Sequence, residues 1–178
     1  MKKWYVIFTK KNSEQKVCNF FQKNGYEFYF PQNRLFTEDM EENIKILKVP
    51  LFDSYVFVKL SDTEISILKK CNDIINMVFF LGRPIQIDDI ELDYLKRFVN
   101  ENFNIRLEKT NVRLNSISRL FNKVSDYYGY DNLSQSNINK TIITVPSLGY
   151  ILIADISDRN IGETILNSIK KKSFFNFF

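Results

Sequence analysis

Histidine is absent from this 178-residue chain, and cysteine, glycine and proline are scarce, at two, five and four residues. Without histidine, Ser-His-Asp and Cys-His catalysis are excluded and the commonest metal ligand is missing. Cys18 and Cys71 do not form a CxxC spacing, so we expect two small buried apolar residues rather than a zinc site or a disulfide.

Long hydrophobic runs and targeting segments are also missing. No segment approaches the ~20 apolar residues of a membrane span, and the apolar run near the N-terminus is too short for a signal core. We therefore expect a cytoplasmic protein without a membrane partner. The chain has no glycine-rich phosphate loop, metal-ligand spacing or nucleophile motif, so we expect no cofactor, and a small enzyme is the least favoured function class.

Aromatic residues, by contrast, are abundant. The chain has 17 Phe and 9 Tyr, an aromatic fraction of 15% within a hydrophobic fraction of 44%, which is enough to build a core. The net charge is +4. This charge permits a polyanionic partner but is too small to indicate a dedicated nucleic-acid-binding protein.

The first hundred residues predict an α+β fold with the order β-α-β-arm-β-α-β-α. Alternating or continuous apolar runs predict strands at Trp4–Phe8, Tyr26–Phe30, Val49–Leu60 and Ile74–Pro84, the last closing on a Gly-Arg-Pro turn. Helices are predicted from an N-cap at Asn12 or Ser13 to the Asn24-Gly25 stop, after the capping box Ser61-x-x-Glu64, and from Asp88 to about Val99. The charged segment 34–48 is expected to form a long loop or a hairpin arm.

The second half shows a different pattern. Residues 100–110 are polar and aperiodic, which is typical of a linker. Residues 111–165 contain short β-branched runs separated by turns, as expected of a small β-barrel, and residues 166–178 are expected to form a flexible tail.

The third predicted strand places its aromatic and aliphatic residues on opposite faces. Tyr55 and Phe57 share one side, and Val56 and Val58 share the other. The aliphatic pair suits a helix–sheet core. The aromatic pair, together with Phe8, is free to line a shallow apolar groove, although the residues alone favour core packing for both rings.

Three stretches together resemble the NusG family of transcription elongation factors, and above all its antiterminator branch of the RfaH and UpxY type. They are "KKWYVIFTKKNSEQKV", "VPLFDSYVFVKL" and "MVFFLGRPIQIDDIELDYLKRF". The resemblance implies a NusG-type N-terminal domain at 1–99, with a four-stranded, mainly antiparallel sheet flanked by helices, and a KOW-like β-barrel at 111–165. Asp53 and Ser54 replace the Pro-Gly of the family signature, and the first barrel turn lacks the family's glycines.

The resemblance also implies a function and its residues. It implies a factor that suppresses pausing or termination, at a specific operon such as a polysaccharide locus. The clamp helices of the largest RNA polymerase subunit would be bound by Phe8, Phe52, Tyr55 and Phe57. Upstream or non-template DNA would be contacted by Lys10, Lys11, Lys16, Arg34, Lys45 and Lys48, although for any single lysine a solvated surface is the simpler interpretation. The barrel would recruit the ribosome or a termination factor.

An alternative function is an RNA-binding or ribosome-associated KOW-domain protein that does not touch polymerase. The aromatic groove discriminates between the two, because such a protein has no use for exposed rings at Phe8, Tyr55 and Phe57.

Overall fold

A computed structural model describes residues 1–38, 44–109 and 140–175 of the chain. The chain divides into two compact units. The first unit comprises Met1–Gln32 and Pro50–Lys96, and the second comprises Asn33–Val49 and Arg97–Phe178.

The first unit is built on a five-stranded sheet in which every recorded pairing is antiparallel. Its strands are β1 Lys3–Thr9, β2 Phe28–Tyr29, β5 Tyr55–Leu60, β6 Ile74–Met77 and β9 Gln86–Ile87. Four of them follow the order β2-β5-β1-β6, and β9 also pairs with β1. The expected antiparallel sheet is therefore present, with one strand more than the four expected.

Helix α1, Glu14–Lys23, covers one face of this sheet. Its apolar stripe and one set of alternating strand residues form a single buried cluster that includes Val17, Phe21, Ile7, Val56 and Val58. The predicted end of α1 is confirmed, because the Asn24 backbone N–H donates to the Phe20 carbonyl at 3.2 Å and Gly25 adopts a φ of 71°. Cys18 and Cys71 are both buried free thiols, as predicted.

The two later predicted helices agree with the structure to different degrees. Helix α2, Asp89–Glu101, begins as predicted: the Asp88 carboxylate accepts the Glu91 backbone N–H at 2.6 Å, and Ile87 and Leu92 are both buried. The Ser61–Glu64 capping contact is also formed, at 2.8 Å from the Ser61 backbone N–H. However, the helix that follows is a short 3₁₀ helix, Ile65–Lys70, rather than an α-helix.

Three predicted strands are wrong in their bounds. The predicted strand 26–30 is shorter, since only Phe28–Tyr29 forms β2. The predicted strand 49–60 contains the end of one strand and the whole of another: β4 ends at Pro50 and β5 begins only at Tyr55, after a turn. The predicted strand 74–84 continues past β6 into a small hairpin of β7 Phe79–Phe80 and β8 Arg83–Pro84, which turns at Leu81 and Gly82 rather than at Gly-Arg-Pro.

The predicted arm lies mostly in the second unit. Its two described strands, β3 Gln32–Glu38 and β4 Ile44–Pro50, pair as a two-stranded sheet. A three-stranded antiparallel sheet has the order β10-β12-β11, with β10 Arg106–Lys109, β11 Lys140–Val145 and β12 Tyr150–Asp155. Helix α3, Ile156–Phe175, follows.

These elements correct three expectations about the second half. Arg106–Lys109, expected in a linker, form a strand because they pair in register with β12. Residues 156–165 of the expected barrel, and 166–175 of the expected tail, are helical. The first turn of the expected KOW-like barrel, at 118–122, lies outside the described residues.

Candidate functional site

Five aromatic rings form a continuous row on the sheet face opposite α1. In order they are Phe8, Tyr55, Phe52, Phe57 and Tyr29, and successive ring centroids are 6.0, 6.4, 6.2 and 6.0 Å apart. We call this set the aromatic row. The register explains it, since Phe8 lies opposite Tyr55 and Phe57 lies opposite Tyr29, and partners across antiparallel strands share a face.

The row is exposed at one end and buried along the rest. Phe8 is 39% exposed and Tyr55 is half-buried, whereas Phe52 is 3% and Phe57 0% exposed. The prediction that Tyr55 and Phe57 share the face opposite the aliphatic core is confirmed. The prediction that Phe57 is uncovered is wrong, because its ring lies between those of Tyr29 and Phe52 and opposite buried Val6.

Helix α2 closes the opposite end of the same face. The Trp4 indole N–H donates to the Asp89 carboxylate at 2.8 Å, and Lys59 Nζ donates to the same oxygen at 2.8 Å. The Nζ of Lys96 lies 5.1 Å from the centroid of Trp4 and 5.8 Å from that of Tyr29. The first turns of α2 therefore cover the Trp4 end, which leaves accessible ring surface at Phe8 and, in part, at Tyr55.

The turn that carries Phe52 and Tyr55 is held by α1. Ser54 has a φ of 63°, the left-handed region that favours glycine, at the place of the family's Pro-Gly. Its backbone N–H donates to the buried Glu14 carboxylate at 2.9 Å, and its carbonyl accepts the Thr9 N–H at 2.8 Å. These two bonds fix the turn, so Ser54 adopts the backbone conformation for which a glycine would be suited.

The predicted nucleic-acid-binding cations divide between the two units. Lys10, Lys11 and Lys16 are exposed in the first unit, and Lys45 and Lys48 are exposed in the second. Their exposure is compatible with phosphate contacts, and it is equally what a solvated surface requires.

Arg34 has a structural role that the sequence did not indicate. Its guanidinium lies 3.9 Å from the centroid of Phe103 and donates to the carbonyls of Asn100 and Asn102 at the end of α2, at 2.5 and 3.0 Å. Desolvation by burial lowers the pKa of Arg34. A cation at a helix C-terminus stabilises the last carbonyls, so we remove Arg34 from the predicted DNA-binding set.

Sequence reasoning missed Tyr29 and Glu14 as parts of the site. The alternation Phe28-Tyr29 indicates opposite faces, but only the pairing with Phe57 places Tyr29 in the aromatic row. An acid in the first turn of a helix favours an interaction with its own helix, whereas Glu14 bonds a residue 40 positions away. Burial raises the pKa of Tyr29, whose hydroxyl has no hydrogen-bond partner among the described residues.

One end of the aromatic row exposes a large apolar ring, Phe8. Among the residues that the structure describes, no group of three or more His, Cys, Asp or Glu side chains is placed to hold a metal ion. No helix in the described part is both long and apolar enough to cross a membrane. The notable feature is an aromatic ring presented at the end of a buried row, which is a feature of docking surfaces.

A family model described as transcription termination factor NusG matches residues 2–96, which is 95 of the 178 residues. The chain belongs to the NusG family. Its members are transcription elongation and termination factors that bind RNA polymerase. The matched segment includes the aromatic row, the turn at Ser54 and the first turns of α2.

The chain is also similar to a solved structure described as domain interaction in Thermotoga maritima NusG. The identity is 18% and the TM-score 0.45, over 89% of this chain and 96% of that chain. Among curated proteins, none matches this chain.

Proposed function

We propose that this chain is a transcription elongation and antitermination factor that docks on the clamp helices of RNA polymerase through Phe8 and Tyr55. The observation that carries the proposal is Phe8, an exposed phenylalanine that packs against a row of aromatic neighbours. Tyr55 packs edge-on against it at 6.0 Å, and Phe52 stacks with Tyr55. An exposed apolar ring that is already packed against its neighbours loses little conformational entropy on binding and is a typical anchor of an interface.

The partner's shape follows from this surface. The sheet face is covered at Trp4 and accessible at Phe8, and an amphipathic helix pair laid across the accessible end is a standard mode of recognition. Buried Phe52 and Phe57 then act as supports that set the position of the contacting rings, and they are not themselves contacts.

The mechanism we propose is a population shift of the polymerase clamp. A factor that binds the closed, elongating enzyme more tightly than the opened, paused one favours elongation by that difference in affinity alone. Restriction to one operon, such as a polysaccharide locus, is part of this proposal through the resemblance to the RfaH and UpxY branch. The proposal also includes recruitment of the ribosome or a termination factor by the C-terminal region.

The test is capture of core RNA polymerase by the immobilised full-length chain. Phe8→Ala should weaken capture by about tenfold or more, the loss expected of an interface anchor. The matched control is Ile75→Ala, because Ile75 is also an exposed apolar residue of the first unit and should leave capture unchanged. In a pausing assay, wild type should shorten pauses and Phe8→Ala should not.

If Phe8→Ala and wild type are both folded and capture polymerase equally, Phe8 is not part of the polymerase-binding site. Binding to ribosomes without binding to polymerase would favour the alternative of a ribosome-associated protein.

The second part of the proposal is DNA contact by the exposed lysines. Replacing Lys10 and Lys11 with glutamine should weaken DNA association and make its salt dependence shallower, because each phosphate contact releases counterions. The measurement is DNA affinity over a series of salt concentrations. An unaltered salt dependence would mean that Lys10 and Lys11 are solvated surface residues that do not contact phosphates.

A further inference from the structure

The β7–β8 hairpin is the most apolar exposed element of the first unit. Phe79 is 48%, Phe80 43% and Leu81 77% exposed, in consecutive positions. Among the described residues, the ring contacts of the aromatic row do not include Phe79 or Phe80. Three neighbouring large apolar residues left in water are a local cost that folding does not require.

The tip of the hairpin is strained as well as exposed. Leu81 has a φ of 49° and Gly82 a φ of 77°, the two positive values that a two-residue hairpin turn needs. Asn-Gly satisfies such a turn readily, whereas a left-handed leucine is unfavourable. Strain at an exposed position, with no burial to offset it, points to a contact outside the chain.

The base of the hairpin is fixed firmly to the sheet. The Val78 N–H donates to the Val6 carbonyl and the Ile85 N–H to the Val78 carbonyl, both at 2.8 Å. Directly afterwards, β9 pairs with β1 through Ile87 and Trp4. The hairpin is therefore a short ribbon held at its root, whose two faces carry one ring each, because successive strand residues point to opposite sides.

The charge of the segment that contains the hairpin indicates the chemistry of a partner. Val78–Ile87, "VFFLGRPIQI", contains one charged residue, the exposed Arg83, and no acid. Arg83 lies directly opposite Phe80 in the hairpin. An exposed ring beside an exposed guanidinium matches the two components of single-stranded nucleic acid, a flat base and a phosphate. A ribbon with one ring on each face suits two separate bases better than a single apolar protein groove.

We propose that the β7–β8 hairpin is a stacking site for single-stranded nucleic acid, in which Phe79 and Phe80 each stack on a base and Arg83 contacts the backbone phosphate. This site is separate from the Phe8 surface and from the lysines proposed above. It recognises bases through their faces, so it binds without strong sequence choice.

The experiment measures the affinity of the full-length chain for a short labelled oligothymidylate by fluorescence anisotropy, with an oligouridylate of equal length to distinguish DNA from RNA. Phe79→Ala and Phe80→Ala should each weaken binding by about tenfold, the typical effect of losing one stacked base. Ile75→Ala, at 55% exposure in the same unit, is the control and should bind as wild type does.

An abasic strand of the same length separates stacking from charge. Wild type and the Phe79→Ala/Phe80→Ala double variant should have the same weak affinity for the abasic strand, because it has no bases to stack on. Arg83→Gln should weaken binding to both strands and lower the salt slope by about one.

The proposal is overturned if the ring variants bind the base-containing strand as tightly as wild type. If the same variants also lose capture of polymerase, the hairpin is a protein contact instead. Phe8→Ala should leave oligonucleotide affinity intact, so failure of the polymerase site and failure of this site give different results.

Discussion

Trp4 and Phe8 are both large apolar residues at opposite ends of one sheet face, but their environments differ. At one end Trp4 is buried, because Asp89 accepts its indole N–H and Lys59 and Lys96 lie over its ring. At the other end Phe8, on the same strand and the same face, remains 39% exposed. The difference is made by α2, which begins over Trp4. An apolar strand residue thus becomes buried or remains exposed according to what its neighbours cover.

We expect the largest difference between two substitutions within the aromatic row. Phe57→Ala should lower the free energy of unfolding by about 3–5 kcal/mol, because it leaves a cavity among buried rings. Phe8→Ala should lower it by less than about 1 kcal/mol, since that ring is a surface residue. Urea denaturation of both variants measures the difference. Similar losses would mean that Phe8 is as much a part of the core as Phe57.

This result also decides how the polymerase-binding test is designed. Because Phe57→Ala is expected to destabilise the fold strongly, loss of binding in that variant would not separate a lost contact from lost stability. Phe8→Ala is the informative substitution.

The sequence predicts these features unequally, and the reason is the range of the interactions. The limits of α1 and the start of α2 follow from local signals, namely helical spacing, the Asn24-Gly25 stop and the Asp88 cap. The division of the third strand into aromatic and aliphatic faces follows from alternation alone.

What the sequence could not indicate depends on contacts between distant segments. Burial of Phe57 requires the pairing of β2 with β5, which brings Tyr29 alongside it. The role of Arg34 requires the carbonyls of Asn100 and Asn102, more than sixty residues away. No local pattern distinguishes such an arginine from one that faces solvent.

A second, smaller effect is expected at the turn that supports the exposed end. Ser54→Gly should raise the free energy of unfolding by about 0.5–1 kcal/mol, because glycine adopts a φ of 63° without the steric cost that a Cβ carries. Relief of that cost exceeds the added entropy of the unfolded chain. The measurement is the urea midpoint, with Ser54→Ala as the control that keeps the Cβ. A midpoint that does not rise for glycine would show that the turn is not strained.

The smallest effect is expected at the covered end, where it depends on pH. The hydrogen bond from Lys59, and after it the one from Trp4, lower the pKa of Asp89 below its ordinary value of 3.8. The same carboxylate raises the pKa of Lys59. The folded state holds the ionised carboxylate more strongly than the unfolded state does. The contribution of Asp89 to stability is therefore fully present at a pH above the ordinary pKa of the carboxyl, and it is lost as the pH falls through the lowered pKa of the folded state.

Asp89→Asn isolates this contribution, because asparagine carries no charge at any pH. The unfolding of wild type and of Asp89→Asn, followed by fluorescence of Trp4, the chain's single tryptophan, should differ at neutral pH. That difference should shrink as the pH is lowered below about 4, where the unfolded-state carboxyl titrates. A constant difference would mean that the Trp4 end is held by packing under α2 alone. The contrast between the two ends would then rest on the position of the helix and not on the charge at its first residue.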